Sequence, residues 1–128
     1  MRKPPKPNAV FFEAEKISVT AACEQLITNF MTPRFLSEIR PTQFNYPVDI
    51  LGKWRGAQYR FTQRYRSGFA DNLGEEFDAP FARLDWIGRN RFDIQWHRHT
   101  GQWFRLYNRL TLVEAIAAIK ADGHLQPL

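Results

Sequence analysis

The chain has 128 residues, a formal net charge of +5 and a single cysteine, Cys23. This length fits one domain with its own core. One cysteine cannot form an internal disulfide, which excludes a disulfide-stapled secreted domain. There is no apolar run of membrane-spanning length and no signal peptide, so we expect a cytoplasmic bacterial protein that contacts no membrane. The positive charge favours an anionic partner, either nucleic acid or an acidic protein.

The first residues of the chain, 1–12, are basic and rich in proline, and they predict a flexible arm. A single α+β domain is expected over residues 13–128. Apolar residues at spacings of three and four indicate a helix over Ser18–Met31. Pro33 disfavours helix at the residue before it, so we expect the helix to end there. Cys23 lies on the apolar stripe, which predicts a small buried side chain.

Five segments then show the two-residue period that is typical of β-strands. We expect turns at Gly52, at Gly88-Arg89-Asn90 and at Thr100-Gly101, so that the strands form an antiparallel meander. Pro47 predicts an edge position for the first strand, because proline has no amide hydrogen for a ladder. The strand segments are 42–51, 55–66, 77–87, 92–97 and 102–108.

A second helix is predicted over Thr111–Asp122. Thr111 and Glu114 form a capping-box pattern ahead of an apolar stripe, and Gly123 occupies the position of a C-terminal cap. The fold class is therefore α+β: an N-terminal helix, an antiparallel sheet of about five strands and a C-terminal helix. We expect both helices to pack on one face of the sheet.

Two-residue alternation predicts a basic and aromatic set on the face of the sheet that the helices leave open. The arginine guanidinium binds phosphate through two hydrogen bonds and stacks on bases. Trp103 and Tyr107 are candidate stacking platforms of the kind that single-stranded RNA readers use. The candidate binding residues are Arg60, Arg64, Arg66, Arg83, His97, His99, Trp103, Arg105 and Tyr107.

Three other interpretations of this face stay open. Arginines beside Asp85 and Asp93 can form cross-strand ion pairs on a solvated sheet. His97 and His99 can act as acid and base on a phosphodiester, which would make the chain a small phosphodiesterase or ribonuclease. The aromatic residues can instead mediate a homodimer or another protein contact.

The sequence predicts no metal, no cofactor and no catalytic set. The His97-x-His99 pair has only Asp93 or Asp85 as a nearby third ligand for zinc. No glycine-rich phosphate loop and no nucleophile elbow is present. The lead interpretation is therefore a non-enzymatic binding module for nucleic acid or an acidic partner.

The second half of the chain carries a resemblance to a known family. This pattern resembles a bacterial family catalogued as domain of unknown function 3024, from Val19 to Asp122. The resemblance implies the order helix, sheet, helix, and it assigns no catalytic residues. The residues that carry it are Ala79-Pro80-Phe81-Ala82-Arg83-Leu84, Phe92-Asp93-Ile94-Gln95-Trp96, Gly101-Gln102-Trp103, Tyr107 and Lys120-Ala121-Asp122.

Overall fold

The structure is a computed structural model that describes residues 7–128. Helix α1 spans Pro7–Leu26 and continues through a wider π-helical turn, Ile27–Met31, into a short helix α2, Thr32–Phe35. Helix α3 spans Leu112–Ala121 near the other end of the chain. None of the helices among these residues is long and apolar enough to cross a membrane.

Five antiparallel strands lie between the helices in the order β1-β2-β3-β4-β5. The α+β fold and the meander predicted from the sequence are confirmed. Strand β1 lies at an edge, where the missing amide hydrogen of Pro47 was expected to place it. The strands are β1 (Asn45–Arg55), β2 (Gln58–Ser67), β3 (Glu76–Gly88), β4 (Arg91–His97) and β5 (Trp103–Leu110).

One core joins both helices to one face of the sheet. Phe61 and Ile94 of the sheet, Cys23 of α1 and Ile119 of α3 are all fully buried in it. Burying a side chain such as Phe61 contributes about 1.5–3 kcal/mol. Desolvation, with a smaller effect of Glu24, raises the pKa of the Cys23 thiol, so this cysteine is an inert core residue.

The first helix begins earlier than the sequence predicts. It starts at Pro7 rather than at Ser18, so the predicted arm is helical from Pro7 onward, and residues 1–6 lie outside the described residues. Proline is tolerated in a first helical turn, because the amide hydrogens there have no intrahelical partner. Phe12 anchors this part of the helix, with its ring centroid 5.2 Å from that of Trp86.

The same helix also passes the predicted end at Pro33. The π-helical turn Ile27–Met31 ends two residues before this proline, and helical backbone then continues to Phe35. Proline lacks the N–H that an α-helix requires and its ring crowds the preceding turn, and a wider turn relieves both constraints. Met31 within this turn stays fully buried, so the longer helix keeps its contact with the core.

The predicted turn at Gly52 is also wrong. Strand β1 continues to Arg55, and the chain reverses at Gly56, whose φ of +58° suits glycine. Gly52 serves a different purpose, because the ring of Tyr59 lies directly over its Cα. A side chain at this position would overlap that buried ring.

Gly68 gives a direct test of the packing at the end of β2. Its N–H donates to the carbonyl oxygen of Phe44 at 2.7 Å, and a Cβ there would overlap the backbone oxygens of Thr42 and Phe44. We expect Gly68→Ala to lower the free energy of unfolding by about 1–3 kcal/mol in urea denaturation. The matched control is Gly88→Ala, whose Cβ meets no atom within 4 Å. Equal midpoints for the two variants would contradict this packing.

Candidate anion-binding site and adjoining cavity

One row of mostly cationic residues crosses all five strands on the open face of the sheet. The strand register pairs Lys53 with Arg60, Arg60 with Arg83, Arg83 with Gln95, and Gln95 with Arg105. Like charges directly opposite one another on neighbouring strands repel and destabilise a sheet. The adjacent Arg60 and Arg83 therefore require compensation from other groups.

Most candidate arginines obtain that compensation from a carboxylate. The Arg83–Asp85 pair is the most enclosed, with side chains 13% and 17% exposed and two N···O distances of 2.6 and 2.9 Å. The exposed pairs contribute little to stability, because water and salt screen their charges. Cross-strand and same-strand ion pairing thus accounts for four of the candidate arginines. The four pairs are Arg64–Asp78, Arg66–Glu76, Arg83–Asp85 and Arg105–Asp93.

Arg60 differs from these four arginines. It forms no salt bridge with any carboxylate among residues 7–128, and its Nε is buried without a hydrogen-bond partner there. Its Nη2 donates to Oε1 of Gln58 at 3.0 Å. Burial, followed by the charges of Arg55 and Arg83, lowers the pKa of Arg60 despite the opposing charge of Asp85, although a guanidinium stays protonated. An anion at the outer Nη atoms of Arg60 would offset the repulsion from Arg55 and Arg83.

Trp103 holds Arg60 and Arg83 beside a single ring. The centre of its ring lies 5.6 Å from Cζ of Arg60 and 4.7 Å from Cζ of Arg83. Attraction between the ring and both cations opposes their mutual repulsion. His97 contacts the same indole edge-on, with ring centroids 4.7 Å apart. We call Arg60, Arg83, His97 and Trp103 the Trp103 cluster.

Next to the Trp103 cluster is a cavity of about 820 Å³. It forms because β3 extends beyond β4: β3 pairs with β4 from Ala82 onward, whereas its preceding residues pair with β2 alone. The C-terminal residues 123–128 contribute another wall. Gln63 binds this segment, since its Nε2 donates to the carbonyl oxygen of Leu128 at 3.1 Å and its Oε1 accepts from the Leu128 N–H at 3.2 Å.

Asp122 orders the side chains on the C-terminal wall of the cavity. Its carboxylate accepts hydrogen bonds from the Tyr107 hydroxyl and the backbone N–H of His124, both at 3.0 Å, and lies 3.0 Å from Nδ1 of His124. Burial acts to raise the pKa of Asp122, but these hydrogen bonds outweigh it and hold that pKa below its ordinary value. The ionised carboxylate therefore fixes the positions of both neighbours.

A comparison with protein-family models identifies the chain. The model described as domain of unknown function (DUF3024) matches residues 15–126. The chain belongs to the DUF3024 family. This confirms the resemblance predicted from the sequence. A search of curated proteins and a search of solved structures each found no match.

In this DUF3024 chain, the strands bring together only part of the predicted binding set. Arg60, Arg83, His97 and Trp103 converge in one cluster. The remaining arginines of the set lie apart from the cluster beside their own carboxylates, and these three are Arg64, Arg66 and Arg105.

Two placements predicted from simple alternation are wrong. The register shifts where Ile94 pairs with Tyr107, and this bulge turns Tyr107 to the helix side of the sheet, where its hydroxyl reaches Asp122. His99 does not share a strand face with His97, because β4 ends at His97 and His99 lies in the following turn. Both residues nevertheless line the cavity.

Sequence reasoning missed the contribution of His124 and Asp122. The sequence signal for this pair is only three residues long. Asp122-Gly123-His124 directly follows α3, and the Asp122 carboxylate can cap the turn that begins at Gly123. Asp122 and His124 line the same cavity as His97 because β3 is longer than β4. The two-residue period does not reveal this difference in strand length. No group of three or more His, Cys, Asp or Glu side chains in residues 7–128 is arranged to hold a metal ion.

The proximity of Arg60 to His97 has a measurable consequence. Burial and the Arg60 charge lower the pKa of His97 below its ordinary value. Replacing Arg60 with Ala removes a like charge, so we expect the pKa of His97 to rise in an NMR titration of its ring protons. Arg64→Ala is the control, because Arg64 is bound to Asp78. The proposed cluster would be contradicted if the two variants moved this pKa equally.

Proposed function

We propose that the chain is a binding module for single-stranded nucleic acid, and that the Trp103 cluster is its phosphate-binding site. The observation that carries this proposal is Arg60, a partly buried cation with an unpaired Nε and no carboxylate partner among the described residues. The planar fork of a guanidinium matches two phosphate oxygens. A phosphate at Arg60 would also relieve its repulsion with Arg83 across the ladder.

The surroundings of Arg60 favour a single strand over a duplex. Single-stranded nucleic acids bind sheet faces through cations that follow the backbone and aromatic rings that stack on bases. Trp103 is a partly exposed residue next to the cations, and β5, which carries it, is an edge strand. Duplex readers instead insert a helix or a β-ribbon into a groove. The long helix α1 packs in the core on the opposite face of the sheet, so it is not presented beside Trp103.

An acidic protein segment is the other anionic partner that the charge of the chain predicts. Such a segment can pair with Arg60, but it offers no base to stack on Trp103. The hydrolase hypothesis for His97 and His99 and the homodimer hypothesis stay predictions. The nucleic-acid proposal accounts for both the unpaired arginine and the adjacent ring.

The proposal predicts that a single arginine dominates binding. In fluorescence anisotropy with a labelled single-stranded oligonucleotide of roughly 16 nucleotides, Arg60→Ala should weaken the affinity about tenfold, because one charge-assisted contact is lost. Arg64→Ala should change the affinity less than about twofold, since Asp78 already neutralises this arginine. Affinity should fall steeply with salt as counterions are released.

Two results would overturn this function. Equal losses for Arg60→Ala and Arg64→Ala would indicate a diffuse charge effect rather than a site at Arg60. Equal competition by polyglutamate and by unlabelled oligonucleotide would indicate an acidic protein partner.

A further inference from the structure

The cavity and the Trp103 cluster meet at one residue. His97 lines the cavity, and its ring also packs against Trp103 at a centroid distance of 4.7 Å. The Trp103 cluster lies on the open face of the sheet and the cavity opens toward its helix side, so a ligand with an anionic group on Arg60 would enter the cavity past His97, at the end of β4. The two regions differ in chemistry, which limits the ligand that can occupy both.

The lining of the cavity suits an uncharged ring rather than a phosphate. Among the described residues that line it there is no lysine or arginine, and Asp122 contributes a negative charge. Aromatic side chains dominate the walls, and ligand pockets of this character bind flat apolar groups that also carry a few polar atoms. A volume of about 820 Å³ exceeds what one nucleobase needs. The aromatic wall residues are Tyr65, Phe81, Trp96 and Tyr107.

His124, whose side chain is 65% exposed, supplies a hydrogen-bond acceptor at the solvent side of this cavity. An ionised carboxylate only accepts hydrogen bonds, so the 3.0 Å contact with Asp122 places the proton of a neutral His124 ring on Nδ1. Nε2 is then an acceptor. Trp96 holds the ring from the side, with centroids 5.0 Å apart. An acceptor in an aromatic cavity selects a ring that carries an N–H donor.

We propose that the cavity binds one unstacked nucleobase with an exocyclic amino group, which donates to Nε2 of His124, while the adjoining phosphate lies on Arg60. This inference deepens the proposed function and rests on it for the source of the base. The other two cavity histidines, His97 and His99, add ring surface and further polar edges. All three histidines of the chain thus line one cavity.

The test uses adenosine and purine riboside, which lacks only the exocyclic amino group and has no ring N–H donor in its place; neither nucleoside carries a phosphate. With the full chain at about pH 8, where histidine is ordinarily neutral, adenosine should bind about tenfold more tightly than purine riboside by NMR titration. His124→Phe keeps an aromatic ring against Trp96 but removes the acceptor, and it should reduce adenosine to the affinity of purine riboside. Arg64→Ala, which lies outside both the cavity and the Trp103 cluster, should leave adenosine binding unchanged.

The outcomes separate this inference from the proposed function. Equal binding of adenosine and purine riboside, no binding of either, or an adenosine preference that survives His124→Phe would each overturn the base-binding cavity, even if Arg60 still governs strand binding. A different pair of results would support the cavity and reject the proposed phosphate site. Adenosine selectivity would depend on His124, while the affinity for the single strand would be unchanged by Arg60→Ala.

Discussion

Attraction between the indole of Trp103 and the guanidinium groups of Arg60 and Arg83 controls the chemistry of the open sheet face. The register sets these arginines opposite one another, and only Arg83 has a carboxylate, Asp85. The Trp103 ring attracts both cations, and this attraction opposes their repulsion across the ladder. Arg60 stays partly buried and unpaired beside His97. A local excess of positive charge is thereby kept in one place.

The core fixes the geometry on which this cluster depends. Residues such as Phe61 and Ile94 pack against both helices, and a slip of one residue in any strand would bring polar side chains into the core. The two-residue period then fixes Arg60 and Arg83 on the opposite face as firmly as it fixes Phe61 inside. The same sheet forms the cavity, because β3 extends beyond β4 while the C-terminal segment is tied to Gln63. One framework thus positions a cationic surface on the open face and, on the other side of His97, a cavity with aromatic walls and no lysine or arginine.

Much of this fold was predictable from the sequence, because apolar residues repeat every two residues in its strands and every three to four in its helices. These repeats show directly which face of each element is buried. The capping box of Thr111 and Glu114 formed as expected, with the side chain of each residue bonded to the backbone N–H of the other. The errors arose where a bulge or a wider helical turn interrupts the regular spacing of the apolar residues. The bulge in β5 turned Tyr107 to the helix side of the sheet, and a π-helical turn carried the first helix past Pro33. Both events depend on tertiary packing rather than on local pattern.

The candidate site was less predictable than the fold, because it depends on which arginines find partners. Alternation placed Arg60 and Arg64 on one face but did not distinguish them, and only the structure separates the unpaired cation from the paired one. The most direct measurement is an NMR titration of the chain with pyrophosphate, observing the arginine Nε–H and tryptophan indole N–H signals. Our account predicts saturable shifts at Arg60 and Trp103 with little change at Arg64. Shifts centred on Arg64, with Arg60 and Trp103 unchanged, would contradict it.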